Sequence, residues 1–333
     1  MGWLSRLLGG QARSGAKPGR RASRPAVRPP LDATAGVDPL VAEAGAAPLR
    51  PPSPAAPTTP APDATAALGP PLCCWLLGTL RSPPGVPLPG PLQPWEQKAL
   101  ALLDDVLVPS TLPSELLPRS VNVVPQLLAL LRHQDLPVPV LAERIGRDPV
   151  LAAEVLRQAG GALFSHLGPV ADLPQAVQRL GVEGLQMAIA RVVLRPMFQA
   201  PPGSLSARTS ERLWEHADVL SRQAVVAARA GGASVFDAYL VGLLHDSGWT
   251  VLFHALQRGG INDLGTPSER GAEALAQRAH RLFGRAAVPW RITPGFAAFA
   301  EEAQCVPLAQ GVHPLAAVLR TAQPLAMVEL QGG

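Results

Sequence analysis

The sequence predicts an all-α protein in which a multi-helix bundle follows a disordered N-terminal region rich in proline and alanine. Three observations support this fold class. Of the 38 prolines in the 333 residues, 20 lie within residues 1–95. Beyond about residue 94, apolar residues recur every three or four positions, as on one face of an α-helix. The same region shows no convincing alternation of apolar and polar residues, which a half-buried β-strand would have.

The N-terminal region divides into two segments. Residues 1–10 place four apolar side chains on one side of a short helix: Trp3, Leu4, Leu7 and Leu8. This amphipathic segment is either a small anchor for a membrane surface or a partner, or a frayed apolar end, since two helical turns are marginal alone. Residues 11–93 are expected to form a Pro-rich disordered linker, because their composition buries too little apolar surface to offset ordering entropy.

An apolar island interrupts the linker at residues 72–80. It is expected to form a short helix that packs onto the folded body. Cys73 and Cys74 are adjacent there, so a disulfide between them would be strained, and we interpret them as buried thiols. Together with Cys305 they are too few for a disulfide framework. A reducing, cytoplasmic compartment is therefore expected.

Residues 94–330 are expected to form the folded domain. Pro94 suits the first turn of a helix, where Glu96 lies near the positive end of the helix dipole. The apolar stripes that follow predict two further helices, over residues 124–132 and 138–146.

Capping residues define the next helices. Asp148 followed by Pro149 combines a helix cap with a first-turn proline, and Gly160 ends that helix. Asp172 begins another helix, which Gly181 ends. The remaining predicted helices cover residues 182–195, 211–230, 237–257, 269–283 and 313–328.

Charge is distributed unevenly along the chain. The formal net charge is +4, but residues 1–30 contain seven Lys or Arg and no acidic residue, so the rest of the chain carries 4 − 7 = −3. The folded part is therefore not a basic nucleic-acid binder, and no specific nucleic acid is expected. Residues 1–30 would attract a polyanion or an anionic membrane weakly. With no apolar run of about 18 residues to span a bilayer, the protein is expected in the cytoplasm, with peripheral contact to the inner membrane through this segment.

One pair of residues stands out chemically, the adjacent His245 and Asp246. Neighbouring positions of a helix are about 100° apart, so both side chains can flank one point. A neutral imidazole with a carboxylate suits a divalent metal, and His216 on the preceding helix is a candidate third ligand. A metal held there would activate water for phosphate-ester hydrolysis. The alternative is that the histidines pack between helices with ordinary hydrogen bonds, while Asp246 caps or pairs locally.

The order of the segments between about residues 112 and 257 resembles the HDOD family, the HD-related output domains of bacterial signalling proteins. The resemblance is carried by VPQLLALL at 124–131, LAERIGRDPVLAAEVLRQA at 141–159, LPQAVQRLGVEGL at 173–185, LWEH at 213–216 and LVGLLHDSG at 240–248. It implies a multi-helix HDOD-like bundle that relays a signal by binding other signalling proteins.

Several positions depart from the patterns of this family and of the related HD phosphohydrolases. Gly160 stands where the family usually has Asn. Trp249 follows Gly248 where active relatives have Lys, a cation that contacts phosphate. Gln323 replaces the distal Asp of the metal set, and Pro324 is expected to disturb the helix that presents it. A neutral amide is a poor substitute for a carboxylate ligand.

The sequence therefore predicts a non-catalytic regulatory protein that acts through protein–protein interaction, with no cofactor. His216, His245 and Asp246 would be vestigial ligands, and any divalent metal there would be a remnant. The alternative function is a metal-dependent HD-type phosphohydrolase acting on a nucleotide or phosphoester. In that case the same three residues would hold the metal, and water would be the nucleophile.

Overall fold

The computed structural model describes residues 69–78, 87–117, 138–161, 168–200 and 202–332. Within these ranges the protein is all-α, as predicted, and an isolated bridge between Leu88 and Ser268 is the one element of β pairing. The segment 1–10 and the helix predicted over 124–132 lie outside the described residues. None of the described helices is long and apolar enough to cross a bilayer.

The helices are numbered here in chain order. They are α1 (Gly69–Leu77), α2 (Pro94–Leu107), α3 (Val138–Gly146), α4 (Pro149–Ala159), α5 (Leu173–Leu194), α6 (Leu205–Gly231), α7 (Val235–Leu244), α8 (Ser247–Arg258), α9 (Glu269–Ala287), α10 (Pro294–Ala303) and α11 (Pro314–Gly332). Helix α1 confirms that the apolar island is a short helix packed on the folded body, because it contacts α9 and α6.

The predicted caps begin and end helices as expected. The carboxylate of Asp148 accepts from the backbone N–H groups of Val150 and Leu151 at 2.8 and 3.0 Å. These donors lack partners inside the helix, so the cap satisfies two of them. Asp172 caps α5 in the same way, accepting from the N–H of Gln175 at 2.8 Å.

Two predicted boundaries are wrong. The helix predicted over 237–257 is two helices, because the chain turns at His245 and Asp246. The helix predicted from 211 begins at Leu205, because the hydroxyl of Ser204 caps it. The helix predicted over 313–328 is α11, which runs through Pro324, a residue expected to disturb it, with the proline ring exposed. The sequence patterns did not predict helix α10.

Two hydrophobic cores organise the fold. The small lobe, α3 and α4 packed on α5, surrounds one core; the large lobe, α1, α2 and α6–α11, surrounds the other. Helix α5 is bent at Gly181, whose φ is 63°. Its second half supplies side chains to both cores, Leu185 to the small and Met187 to the large. The helix is therefore a shared wall.

A buried carboxylate fastens α2 to α9. Glu96 is fully buried, and its oxygens accept from the N–H of Gln93 at 2.5 Å and from the N–H and hydroxyl of Ser268 at 2.6 and 2.8 Å. Ser268 is the N-cap of α9, so the anion also lies at the positive end of that helix. Glu96 does more than the helix-dipole role predicted for it.

Candidate functional site

The structure brings the three predicted site residues together at the turn between α7 and α8. His216 projects from the middle of α6, His245 is the C-cap of α7, and Asp246 is the N-cap of α8. All three side chains are buried, with Asp246 and His216 fully inaccessible. The pair is thus positioned by a turn between two helices, and not by one continuous helix as predicted.

A short hydrogen bond joins His216 to Asp246. Nδ1 of His216 lies 2.5 Å from Oδ2 of Asp246. Burial by itself raises the pKa of the Asp246 carboxyl, but the hydrogen-bonded imidazole of His216, together with the nearby imidazole of His245, outweighs burial and lowers the pKa below the usual value. Because an ionised carboxylate only accepts, Nδ1 of His216 is the donor.

His245 is held by a third histidine, His280 on α9. Burial, and then the charge of His245, lower the pKa of His280 to about 3, so this imidazole is neutral. Its Nε2 lies 3.2 Å from the carbonyl of Val306 and must donate to it. Nδ1 of His280 then accepts, and Nε2 of His245 donates to it at 3.0 Å.

Three buried polar atoms of the cluster have no hydrogen-bond partner among the described residues. They are Nε2 of His216, Nδ1 of His245 and Oδ1 of Asp246. Nδ1 of His245 lies 3.9 Å from Oδ1 of Asp246. Buried polar atoms are normally paired, so the cluster has an unused capacity for hydrogen bonds.

These unpartnered atoms are not arranged as a metal site in this structure. Within the part of the chain that the structure describes, no three His, Cys, Asp or Glu side chains are placed to hold a metal ion. His216 uses Nδ1 on the carboxylate that would share the metal, and His245 uses Nε2 on His280. The assignment of the three residues as vestigial ligands stays a prediction.

The two substituted positions lie in packed surroundings. Trp249 is buried in the large core, with its ring 6.0 Å from that of Phe253. Gln323 is buried on α11, a helix that packs against α6 and α7. Gly248 lies where α8 crosses α9 so closely that an added Cβ would overlap the carbonyl of Ala279.

Sequence reasoning did not place His280 beside His245. The signal was available in part, because His280 lies within a helix whose buried face includes Ala279 and Phe283, and an imidazole on such a face needs a partner. His254 does not join the cluster; burial lowers its pKa, and the Leu116 backbone raises it by less. His313 begins α11 as predicted, accepting from the N–H of Leu315 at 3.2 Å.

The similarity of this chain to known proteins includes the residues of the cluster. The family model described as the HDOD domain matches residues 117–287. None of the curated proteins matches the chain.

Solved structures are similar to this chain at low sequence identity. A Shewanella amazonensis SB2B protein, provisionally named a metal-dependent phosphohydrolase, is 18% identical with a TM-score of 0.50, covering 72% of this chain and 84% of its own. An HDOD domain protein of unknown function from Geobacter sulfurreducens is 20% identical with a TM-score of 0.39, covering 71% and 94%. A Marinobacter aquaeolei VT8 protein, provisionally named a signal transduction protein, is 18% identical with a TM-score of 0.44, covering 71% and 56%.

Proposed function

The chain belongs to the HDOD family, and we propose that it is a non-catalytic signal-transduction protein that acts by binding other signalling proteins. The observation that carries this proposal is the internal pairing of the His216, Asp246, His245 and His280 cluster. Each imidazole has one nitrogen engaged in a hydrogen bond within the cluster, and Asp246 has no accessible surface.

Phosphohydrolase chemistry needs features that this cluster lacks. Water and phosphate must reach the reacting centre, and a metal or cation must stabilise the developing charge. The position of the expected cation is the buried Trp249, and that of the expected distal carboxylate is Gln323. These residues support binding without catalysis, in which no cofactor takes part.

The unpartnered atoms of the cluster favour one alternative function. Oδ1 of Asp246 and Nδ1 of His245 are atoms of the kind that coordinate divalent metals. A rearrangement of the cluster would let them serve a metal-dependent phosphohydrolase acting on a nucleotide or phosphoester.

Hydrolysis and metal content test the two functions against each other. The full chain is assayed on a nitrophenyl phosphodiester with added Mn²⁺ or Mg²⁺, beside Asp246→Asn and the exposed control Asp263→Asn. We expect no turnover above buffer in any of the three and no stoichiometric metal by elemental analysis. Turnover that is lost in Asp246→Asn and kept in Asp263→Asn would overturn the proposal and establish the alternative.

A partner is sought separately. Affinity capture from the native host, followed by a direct titration of the purified candidate, is expected to give saturable binding that survives in Asp246→Asn. Failure of every purified candidate to bind would contradict the interaction function, whatever the hydrolysis assay shows.

A further inference from the structure

Helix α1 covers part of the candidate site from outside the stretch of chain that matches the family. The HDOD match begins at residue 117, whereas α1 spans residues 69–77 and packs on α9 and α6 of the matched domain. The ring centroid of its Trp75 lies 6.3 Å from that of His216. His216 has no accessible surface, and its Nε2 has no partner among the described residues. The cover over this imidazole therefore includes a helix that precedes the domain in the sequence.

The surface beneath α1 is an apolar groove. It is formed by α6 and α9, both of which also pack on α8. Five side chains of α1 are buried, and they are Leu72, Cys73, Cys74, Leu76 and Leu77. A helix that is apolar on every side is stable only where it is enclosed. The groove therefore has the shape and chemistry that suit a short apolar helix, as in helix-in-groove recognition between proteins.

Arg212 of α6 makes the polar contact that fixes the end of α1. Its guanidinium donates to the carbonyl of Trp75 and also lies over the indole ring, 5.1 Å from the centroid. Carbonyl groups in the last turn of a helix lack partners within the helix, and a cation over an aromatic face adds a further attraction. Arg212 and His216 are one turn apart on α6, so the contact that holds α1 lies beside the imidazole that α1 covers.

Helix α1 is held less firmly than α2, which also precedes the matched domain. Helix α2 is fastened through Glu96, which accepts two hydrogen bonds from Ser268. Helix α1, with the sequence GPPLCCWLL, has no charged side chain. Ordering its nine residues costs conformational entropy comparable to the gain from burying five side chains. An element with a small net stabilisation can detach while the rest of the protein stays folded.

We propose that α1 is a displaceable occupant of a helix-binding groove on α6 and α9, and that the signalling partner inserts a short apolar helix of the same kind in its place. This inference rests on the proposed function, because it names the surface and the class of partner for that binding. The chain's own helix competes with the partner, so the apparent affinity falls in proportion to the fraction of molecules whose groove is open. The partner helix needs an aromatic residue at the position of Trp75, because Arg212 supplies the cation and the donor that recognise it.

The thiols of α1 report its detachment. Burial, followed by the charges of Cys74 and Glu96, raises the pKa of the Cys73 thiol well above its usual value, so this thiol reacts slowly while α1 is bound. The exposed Cys305 is the internal control. The full chain is treated with iodoacetamide at several urea concentrations below the unfolding transition, and mass spectrometry locates the label. We expect Cys73 and Cys74 to react faster than global unfolding allows, at a rate that dilute urea hardly changes. Labelling that follows the urea dependence of global unfolding would overturn the proposal.

A pair of variants tests the contact at Trp75. Arg212→Met should raise the labelling rate of Cys73 by about tenfold, with Cys305 unchanged. Arg222→Met, which breaks an exposed ion pair on the same helix, should leave both rates unchanged. If Arg212→Met does not fold, Trp75→Leu replaces it, with the same rise expected. Equal Cys73 labelling in wild type and in the variant that folds would show that this contact does not hold α1, and would contradict the proposal.

A peptide tests the groove itself. It carries residues 67–80 with serine in place of both cysteines and added lysines at its ends for solubility. We expect saturable binding to the full chain and labelling of Cys73 that is faster by about tenfold, because the peptide occupies the groove whenever α1 leaves it. The same peptide with Trp75→Ala should have little effect. A peptide that does not accelerate labelling would refute the helix-binding groove. Failure of every captured partner while the peptide binds would contradict the proposed signalling function and leave the groove standing.

Discussion

Two buried carboxylates, Glu96 and Asp246, have opposite degrees of hydrogen bonding. Both are fully inaccessible to solvent. Glu96 accepts three hydrogen bonds through its two oxygens, whereas Asp246 accepts one at Oδ2 and leaves Oδ1 without a partner in the described part of the chain. A saturated buried anion holds helices together, while an unsaturated one retains a capacity to bind something else.

The surroundings of the Glu96 and Asp246 carboxylates also differ. Glu96 is so closely enclosed that a Cβ on Gly271 would overlap its carboxylate. Asp246 lies in a turn, caps no backbone N–H of α8, and shares its cluster with three imidazoles. Burial alone does not separate a structural carboxylate from a site residue; the completeness of hydrogen bonding does.

The largest effect is expected from Glu96→Gln. All three of its partners are donors, so the new amide N–H groups would meet donors and one oxygen site would be lost. We expect the free energy of unfolding to fall by about 3 kcal/mol, measured by urea denaturation. Glu143→Gln, in an exposed ion pair with Arg147, is the control and should change it by less than about 0.5 kcal/mol. Equal losses in the two variants would break the comparison.

The next largest effect is expected in the pH dependence of stability, through the buried imidazole of His280. Its folded pKa of about 3 lies below the value of about 6.5 that it has when unfolded. Between these values the unfolded state binds more protons, so stability falls as pH decreases from 6.5. We expect wild type to lose about 2 kcal/mol more than His280→Gln between pH 6.5 and 5.

Thermal unfolding across that pH range measures the difference, with His313→Gln as the control for an imidazole outside the cluster. Parallel pH profiles for wild type and His280→Gln would show that the buried histidine pair contributes nothing to the pH dependence.

Asp246→Asn should cost less than Glu96→Gln. The amide oxygen can still accept from Nδ1 of His216, and its N–H group would lie near Nδ1 of His245, which has no partner among the described residues. We expect a loss of about 1 kcal/mol at pH 7, again by urea denaturation. A loss as large as that of Glu96→Gln would mean that Asp246 is as firmly structural, and the distinction between the two carboxylates would fail.

The smallest effect is expected at an exposed carboxylate. Glu329 accepts from Arg222 and Gln223 at 2.9 and 2.8 Å on the surface of α6 and α11. Solvent screens both contacts, so Glu329→Gln should change the free energy of unfolding by less than about 0.5 kcal/mol. A cost above that of Asp246→Asn would show that the ranking by burial and hydrogen bonding is incorrect.

Local sequence features were reliable where the interaction itself is local. Asp148 and Asp172 cap helices because their carboxylates reach backbone donors two or three residues ahead. Gly160 is the C-cap of α4, and this role also depends on residues close to it in the sequence. The turn at His245 was not predictable in this way, because the apolar pattern of α7 continues into α8 and no proline or unusual φ marks the break.

The sequence by itself determined the all-α class, most helix starts, the family and the three members of the candidate site, since these depend on periodicity, capping and motif order. Only the tertiary structure decided that His280 completes the cluster, that Glu96 is saturated by Ser268 from 172 residues away, and that Arg191 pairs with both Glu154 and Asp218. The physical reason is that the hydrogen bonding of a buried polar group depends on which distant donors and acceptors the packed helices bring to it, and no local pattern records those distances.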